Sequence, residues 1–211
     1  MVGKGEDMGS WQDTFADWAQ AWAASQDLAA TVEGSTVLFG NQHVMVWPGQ
    51  DIEAQITVLA QGSELVLITE DAAETTTYAL SKGLVATSRA VLLQAQTDNL
   101  DLAPHLPAEA NLAEAPMENY DLVELAVFDH PVGRGRLSTA DELAVVAELS
   151  VDEGYEDQLP VFENAIVAGL GDEAFAHGAD TLYLVAGEEQ AQRFAAVDGW
   201  SRVAQILSFR K

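Results

Sequence analysis

The chain has 211 residues, 48% of them hydrophobic, and its 34 Asp and Glu against 9 Lys and Arg give a net charge of −25. This length favours about one to two domains, and the apolar content is sufficient for a hydrophobic core, which argues against intrinsic disorder. No Lys or Arg stands between Lys4 and Lys82. The shortage of cations therefore argues against nucleic acid and against an anionic membrane surface as partners.

The absence of cysteine excludes disulfides, thiolate nucleophiles and cysteine-bound metals. No apolar run approaches the roughly 18–20 residues that span a bilayer. The range Met1–Ser10 is polar and glycine-rich, and it lacks the apolar segment of a signal peptide. We therefore expect a cytoplasmic protein.

The patterns over residues 1–103 predict a small α/β module. Aromatic residues recur at helical spacing from Trp11 to Trp22 and predict a core-facing helix over Trp11–Ala30, with Ser10 as its N-cap. An aromatic stripe that lines a ligand groove is the alternative. The later patterns predict a hairpin over Ser35–Trp47, a helix over Ile52–Leu59, a strand over Glu64–Thr69, a helix over Asp71–Lys82 and a strand over Leu84–Gln94.

A proline-containing segment, 104–117, is the best candidate for a linker to a second domain over 118–211. The patterns of the second domain predict strands over Tyr120–Phe128, Val132–Leu137 and Asp141–Val151, a helix over Val161–His177, a strand over Thr181–Ala186, a helix over Glu188–Val197 and a strand over Ser201–Phe209. This β-β-β-α-β-α-β order predicts an α+β fold with a mixed sheet.

Three stretches of the second domain resemble a known family: Glu148–Tyr155, Gly178–Ala186 and the pair Gly199-Trp200. Together with the element order, they resemble the GCN5-related N-acetyltransferase (GNAT) fold over about residues 120–209. In that family they correspond to the central strand with the start of the loop that holds the CoA pyrophosphate, to the next strand, and to the Gly-aromatic pair before the last strand. The first domain resembles the divergent module that precedes the catalytic domain in some bacterial GNAT-like proteins. A degenerate GNAT copy is one interpretation of it.

The resemblance implies acetyl-CoA as cofactor. The residues that it places at the cofactor are Leu149, Val151, Gln158, Leu159, Val161 and Arg193. The family's loop, Arg/Gln-x-x-Gly-x-Gly/Ala, presents successive backbone N–H groups to the phosphates at a helix N-terminus.

The corresponding loop of this chain departs from the family pattern. Glu156 stands at the basic position, Leu159 and Val161 stand at the glycine positions, and Pro160 lacks an N–H donor. A pair of unit charges at 4 Å is worth about 4 kcal/mol at an effective dielectric near 20, so a reversed charge predicts weakened CoA binding. By topology, the cations in range of the loop are Arg193, Arg134 and Arg136.

The resemblance also implies a glutamate on the central strand as general base, for which Glu148 and Glu142 are the candidates. Strand alternation predicts that both side chains share one face of the sheet. The alternative is an exposed strand carboxylate without a catalytic role. The family's proton-donating tyrosine corresponds to Ala195, which has no proton to donate.

The four histidines are scattered, and none stands in a metal-ligand motif, so we expect no metal. The resemblance favours an acetyl-CoA-dependent N-acyltransferase that acts on a small-molecule or peptide amine, and the acidic surface suits a cationic acceptor. Two alternatives stay open. One is a catalytically inactive GNAT-like binding or regulatory protein, and the other is a subunit of a homodimer that packs through the aromatic helix.

Overall fold

The computed structural model describes residues 10–103 and 105–211. Residues 1–9, which carry most of the segment judged not to be a signal peptide, lie outside the described residues, as does Pro104 of the predicted linker. Within the described ranges, none of the helices combines the length and the apolar character that crossing a membrane requires.

The elements follow the predicted order closely. The helices are α1 (Phe15–Ser25), α2 (Ile52–Val58), α3 (Ala72–Ser81), α4 (Leu159–Ala176) and α5 (Glu188–Phe194). The strands are β1 (Ala30–Glu33), β2 (Thr36–Phe39), β3 (Gln42–Val46), β4 (Glu64–Thr69), β5 (Val85–Gln96), β6 (Ala110–Pro116), β7 (Asp121–Val127), β8 (His130–Ala140), β9 (Leu143–Val151), β10 (Thr181–Ala186) and β11 (Ser201–Arg210). Short 3-10 turns span Thr97–Asn99 and Glu156–Gln158.

The N-terminal helix is shorter than predicted. It begins after Thr14 rather than after Ser10, and no side chain caps its N-terminus. It ends before Asp27, whose φ of 61° is left-handed and incompatible with a continuing right-handed helix. Residues 26–29, predicted to belong to the helix, form the connection to strand β1, which begins at Ala30, the last residue of the predicted helix.

Strand β6 lies inside the range predicted to be a linker. It pairs antiparallel with β7 from Ala110 opposite Val127 to Pro116 opposite Asp121. Its Ala, Asn and Glu residues have low β-propensity. The pairing with β7 therefore determines its conformation, and local sequence preference does not.

The strands build one continuous sheet among the described residues, in the order β1-β2-β3-β4-β11-β5-β10-β9-β8-β7-β6. The pairs β3/β4 and β9/β10 are parallel. Strand β11 pairs with β4 and β5, and β5 also pairs with β10. The last strand of each predicted domain thus lies beside strands of the other domain, and both contribute to a single sheet.

The same element order occurs twice, as β3-α2-β4-α3-β5 and as β9-α4-β10-α5-β11. In both, a helix joins two parallel strands. The second strand of each series lies antiparallel to the last strand of the other series: β4 pairs with β11, and β10 pairs with β5. The mixed sheet matches the predicted fold class, and this repeated topology agrees with the interpretation of the first part as a degenerate GNAT-like copy.

Helices cover both faces of the sheet. On one face, α4 packs closely on β8, where a Cβ added to Gly135 would lie 2.8 Å from Leu170 and 2.9 Å from Ile166. On the opposite face, α1 buries its aromatic stripe, and the fully buried Trp18 donates from Nε1 to the carbonyl of Trp11 at 3.0 Å. The stripe belongs to the core, which confirms the core-facing helix.

Candidate functional site

Strands β9 and β10 separate towards their carboxyl ends. They pair only from Leu143–Val146 with Thr181–Leu184, although β9 continues to Val151 and β10 to Ala186. We call the space beyond the last pair the β9–β10 opening. Clefts beyond the carboxyl ends of parallel strands are common ligand sites, and the family resemblance places the cofactor here.

A bulge in β9 lies at this opening. Glu148 has φ = 55°, and the register with β8 shifts between Arg134 and Arg136. Because the bulge adds a residue, Leu149 and Val151 pack into the same core cluster as Ala144 and Val146. The prediction of strict alternation, with Glu148 and Glu142 on one face, is therefore wrong from the bulge onward.

Side chains of α4 and α5 bridge the opening. Gln190 donates from Nε2 to the backbone carbonyl of Leu149 at 3.4 Å and to Oε1 of Glu163 at 2.8 Å. Arg193 donates from Nε and Nη2 to the two carboxylate oxygens of Glu163, each at 2.8 Å. The Glu163 side chain is only 3% exposed, and its carboxylate raises the pKa of Arg193. We call this group the Glu163 bridge.

In the loop before α4, a carboxylate of the loop itself accepts a hydrogen bond from a backbone N–H. Glu156 accepts a hydrogen bond from the backbone N–H of Gly154 at 3.0 Å. This bond and one from the N–H of Glu156 itself lower the pKa of the Glu156 carboxyl. The amide of Gly154, which would suit an incoming phosphate, is thus already bonded to a negative charge, and the exposed Glu153 and Asp157 stand nearby in the chain.

The N-terminus of α4 offers few groups to a cofactor. Gln158 is its N-cap without a side-chain hydrogen bond to the helix, and Pro160 occupies the first turn, where it lacks an N–H. Leu159 is half-buried, and Val161 is exposed. These residues lie in the first turn of α4, before β10. Leu159, Pro160 and Val161 have apolar side chains, which cannot bind phosphate.

The three predicted cations occupy different places on the sheet and helices. Arg134 is exposed on β8, and Arg136 donates from Nη1 to the carbonyl of Ser25 at 3.3 Å and lies over the ring of Tyr120. Ser25 ends α1, which packs on the face opposite α4. Arg134 stands opposite Ser150 near the carboxyl end of β9, and Arg193 is the one of the three that bonds Glu163.

The two candidate bases are not brought together. Glu142 precedes β9, and its backbone carbonyl accepts from the N–H of Asp180 at 2.8 Å, at the closed end of the β9/β10 pair. Glu148 lies at the opposite end, in the bulge, and both side chains are exposed. A catalytic role for either glutamate stays a prediction.

Tyr183 belongs to the core, as its position in a strand indicates. It is 1% exposed, its hydroxyl lies 3.1 Å from Oγ1 of Thr14, and burial raises its pKa. Its ring packs beside Trp18 on the α1 face. The hydroxyl is therefore directed away from the face that carries α4 and α5.

A pocket of about 420 Å³ lies between α4, the residues after α5 and the segment that follows β5. Its apolar lining includes Leu100, Ala165, Ala168, Phe194, Val197 and Trp200. Asp101, His105 and Asp198 add polar groups. No sequence pattern predicts this pocket, because three segments far apart in the chain form it.

Comparison with solved structures places this arrangement among known folds. A GCN5-related N-acetyltransferase from Kribbella flavida superposes with a TM-score of 0.66 at 16% identity, covering 96% of each chain. A GCN5-related N-acetyltransferase-like protein from Streptococcus suis superposes with a TM-score of 0.59 at 13% identity, covering 93% of this chain and 94% of that chain. A tandem GNAT protein from the clavulanic acid biosynthesis pathway superposes with a TM-score of 0.58 at 11% identity, covering 96% of this chain and 94% of that chain.

No protein-family model and no curated protein matches the sequence. The similarity therefore rests on structure, and at these identities it shows the fold without showing the activity. The coverage extends over nearly the whole chain, including the first part, for which the sequence resembled only a divergent module. The chain has the fold of the GCN5-related N-acetyltransferases.

Proposed function

We propose that this chain is a catalytically inactive, GNAT-like binding protein of the cytoplasm, whose β9–β10 opening does not accept acetyl-CoA. One observation carries the proposal: the Glu163 bridge joins α4 to α5 beside the opening, and its Gln190 contacts the backbone of β9 there. Gln190 already bonds the carbonyl of Leu149, and Arg193 already bonds the buried carboxylate of Glu163. A ligand chain that runs between β9 and β10 would have to displace these contacts.

Displacement is costly because Glu163 would stay buried without its partner. Breaking a fully buried ion pair by removal of one partner costs about 3–5 kcal/mol. Since the Arg193 side chain is 31% exposed, we expect a smaller cost, about 1–3 kcal/mol. Each 1.4 kcal/mol weakens binding about tenfold, and the carboxylates of the loop before α4 add repulsion of a phosphate.

The pocket beside α4 is the site that we propose for a ligand. Its walls are largely apolar, and Asp101 and Asp198 place carboxylates at it. In a chain of net charge −25, the field favours a cation. A small organic amine with an apolar body fits this combination, which keeps the ligand within the amine class expected from the sequence.

Calorimetric titration with acetyl-CoA and with pantetheine tests the closed opening. We expect no binding of either ligand to the wild-type protein at millimolar concentration. In the triple variant E163A/Q190A/R193A, we expect pantetheine to bind, because it lacks phosphates and meets no repulsion from the loop. Acetyl-CoA binding to the wild-type protein would overturn the proposal.

Thermal-shift measurement with octylamine tests the pocket, with octanoate as a ligand of equal chain length and opposite charge. We expect octylamine alone to raise the melting temperature. The variant A168L, which adds bulk to a buried lining residue, should lose the shift. An equal shift with octanoate, or an unchanged shift in A168L, would show that the pocket does not select an amine.

An acetyl-CoA-dependent N-acyltransferase is the second candidate. The separation of β9 from β10 and the bulge at Glu148 favour it, because they keep the opening that the family resemblance requires. Acetyl transfer to a polyamine above the uncatalysed rate would establish this candidate. A reduced rate in E148Q with unchanged affinity for acetyl-CoA would assign Glu148 as the base.

A further inference from the structure

Three side chains with metal-ligand atoms meet where α4 ends beside the first residue of β7. They are Asp121, Glu173 and His177, and one ligand atom of each lies within 4.8 Å of the others. It is the one group of three such side chains found among residues 10–103 and 105–211. No function considered above uses these residues.

Two elements, α4 and β7, position the three side chains of the cluster. Glu173 and His177 stand four residues apart at the C-terminus of α4, so they share one face of the helix. Asp121 begins β7, which pairs with β6 on one side and β8 on the other. Helix α4 packs on these strands at Gly169, where a Cβ would lie 3.3 Å from Leu112 of β6. Close packing therefore holds the helix end over the start of β7.

The shorter of the two measured separations equals that between neighbouring ligands of a tetrahedral ion, and the longer exceeds it by about 0.4 Å. His177 Nε2 lies 3.4 Å from Asp121 Oδ2 and 3.8 Å from Glu173 Oε2. Ligand bonds of about 2.0–2.1 Å to zinc at tetrahedral angles place neighbouring ligand atoms about 3.3–3.4 Å apart.

The cluster concentrates negative charge around one imidazole. The Glu114 carboxyl on β6 also faces Glu173. No Lys or Arg of the described ranges forms an ion pair with Glu114, Asp121 or Glu173. Carboxylates at this spacing repel one another, and a divalent cation would replace the repulsion by attraction.

We propose that Asp121, Glu173 and His177 bind a divalent first-row transition-metal ion and so tie the end of α4 to β7. An imidazole with two carboxylates suits Zn²⁺ and its neighbours, whereas Mg²⁺ and Ca²⁺ prefer oxygen ligands in larger number. The fourth tetrahedral position is left to water or to Glu114. This site differs from the sequence expectation of no metal and is independent of the proposed binding function.

Calorimetric titration of tag-free, chelator-treated protein with Zn²⁺ tests the proposal. We expect one equivalent to bind to the wild-type protein. In H177Q the affinity should fall at least about 100-fold, since loss of an outer-shell partner alone costs roughly 10–100-fold in known sites. Co²⁺ bound to the wild-type protein should give the visible absorption of a tetrahedral ion, and H177Q should not.

His105 provides a matched control. Its Nε2 lies 3.3 Å from Asp101, also four residues away, but the two side chains are 85% and 69% exposed and belong to no group of three. The variant H105Q should therefore bind Zn²⁺ like the wild-type protein. Circular dichroism of H177Q, and of D121N as a second variant, separates lost binding from lost folding. Absence of Zn²⁺ binding to the wild-type protein, or equal affinity in folded H177Q, would overturn the proposal.

Discussion

Arg193 of α5 donates two hydrogen bonds to Glu163 of α4, each 2.8 Å long, across the opening between β9 and β10. The carboxylate is almost completely buried, while the guanidinium is partly exposed. The pair joins the two helices at the place where the family resemblance puts the cofactor. Under the proposed function, the pair that stabilises the contact of α4 with α5 is also the pair that a bound cofactor would have to displace.

We expect R193A to lower the free energy of unfolding by about 1–3 kcal/mol, because the buried Glu163 then lacks its charged partner. Urea unfolding measures this loss. R202A is the control, since Arg202 pairs with Glu188 through side chains that are 35% and 56% exposed and should lose less than about 1 kcal/mol. Equal losses in the two variants would contradict a special role for the buried pair.

The left-handed backbone of Glu148 should make stability depend on which residue replaces it. Its φ of 55° is left-handed, which costs a residue with a Cβ about 1–2 kcal/mol and is worse for β-branched residues. We therefore expect E148G to be as stable as the wild-type protein or more stable, and E148V to be less stable by about 1–2 kcal/mol. Thermal unfolding monitored by circular dichroism distinguishes these results.

S150V is the control for the Glu148 prediction, because Ser150 is exposed on the same strand and has no left-handed backbone. We expect its stability to stay within about 0.5 kcal/mol of the wild-type value. A similar loss in S150V and E148V would mean that valine on this strand, and not the bulge, causes the effect.

His43 predicts a pH dependence of stability. Burial lowers the pKa of its imidazole below 6.5, against a smaller opposing effect of Glu33. Its Nδ1 accepts a hydrogen bond from Nε2 of Gln55. The neutral form is thus favoured in the folded state. The stability that the neutral His43 contributes is fully present above the pKa of the unfolded state. It is lost as the pH falls through 6.5 towards the lower pKa of the folded state.

Urea unfolding between about pH 5 and pH 8 measures the His43 effect. In H43Q, we expect the decline in stability below the unfolded pKa to be shallower than in the wild-type protein. H130Q replaces an exposed histidine and should keep the wild-type slope. A slope unchanged in H43Q would show that other groups cause the decline.

The contact of α4 with β8 depends on Gly135. A methyl group there would lie 2.8 Å from Cδ1 of Leu170 and 2.9 Å from Cγ2 of Ile166, so we expect G135A to lose about 1–3 kcal/mol by overpacking. Truncating Leu170 makes room for the methyl group. In chemical unfolding, L170A should therefore cost less in the G135A background than in the wild-type protein, and strictly additive losses would contradict the steric explanation.

The sequence by itself determined the order of the elements other than β1 and β6, and the acidic character of the loop before α4. The six-residue runs of β4 and β10 end where the sequence predicts, because an apolar run bounded by polar residues is a local signal. Helix α3 likewise ends before Gly83, whose φ of 80° stops a helix. Charge is local as well, so the acidic residues of the loop were evident without a structure.

Only the tertiary structure decided how these elements meet. Strand β6 forms because β7 provides its backbone hydrogen-bond partners. The last strands of the two parts, β5 and β11, lie side by side through pairing between distant segments. The bulge at Glu148 shifts every later side chain of β9, which period-two alternation cannot anticipate. The bridge from Arg193 to Glu163 and the cluster at His177 join residues far apart in the chain. Periodicity records which face of an element is buried, whereas the partner of a side chain is set by long-range packing.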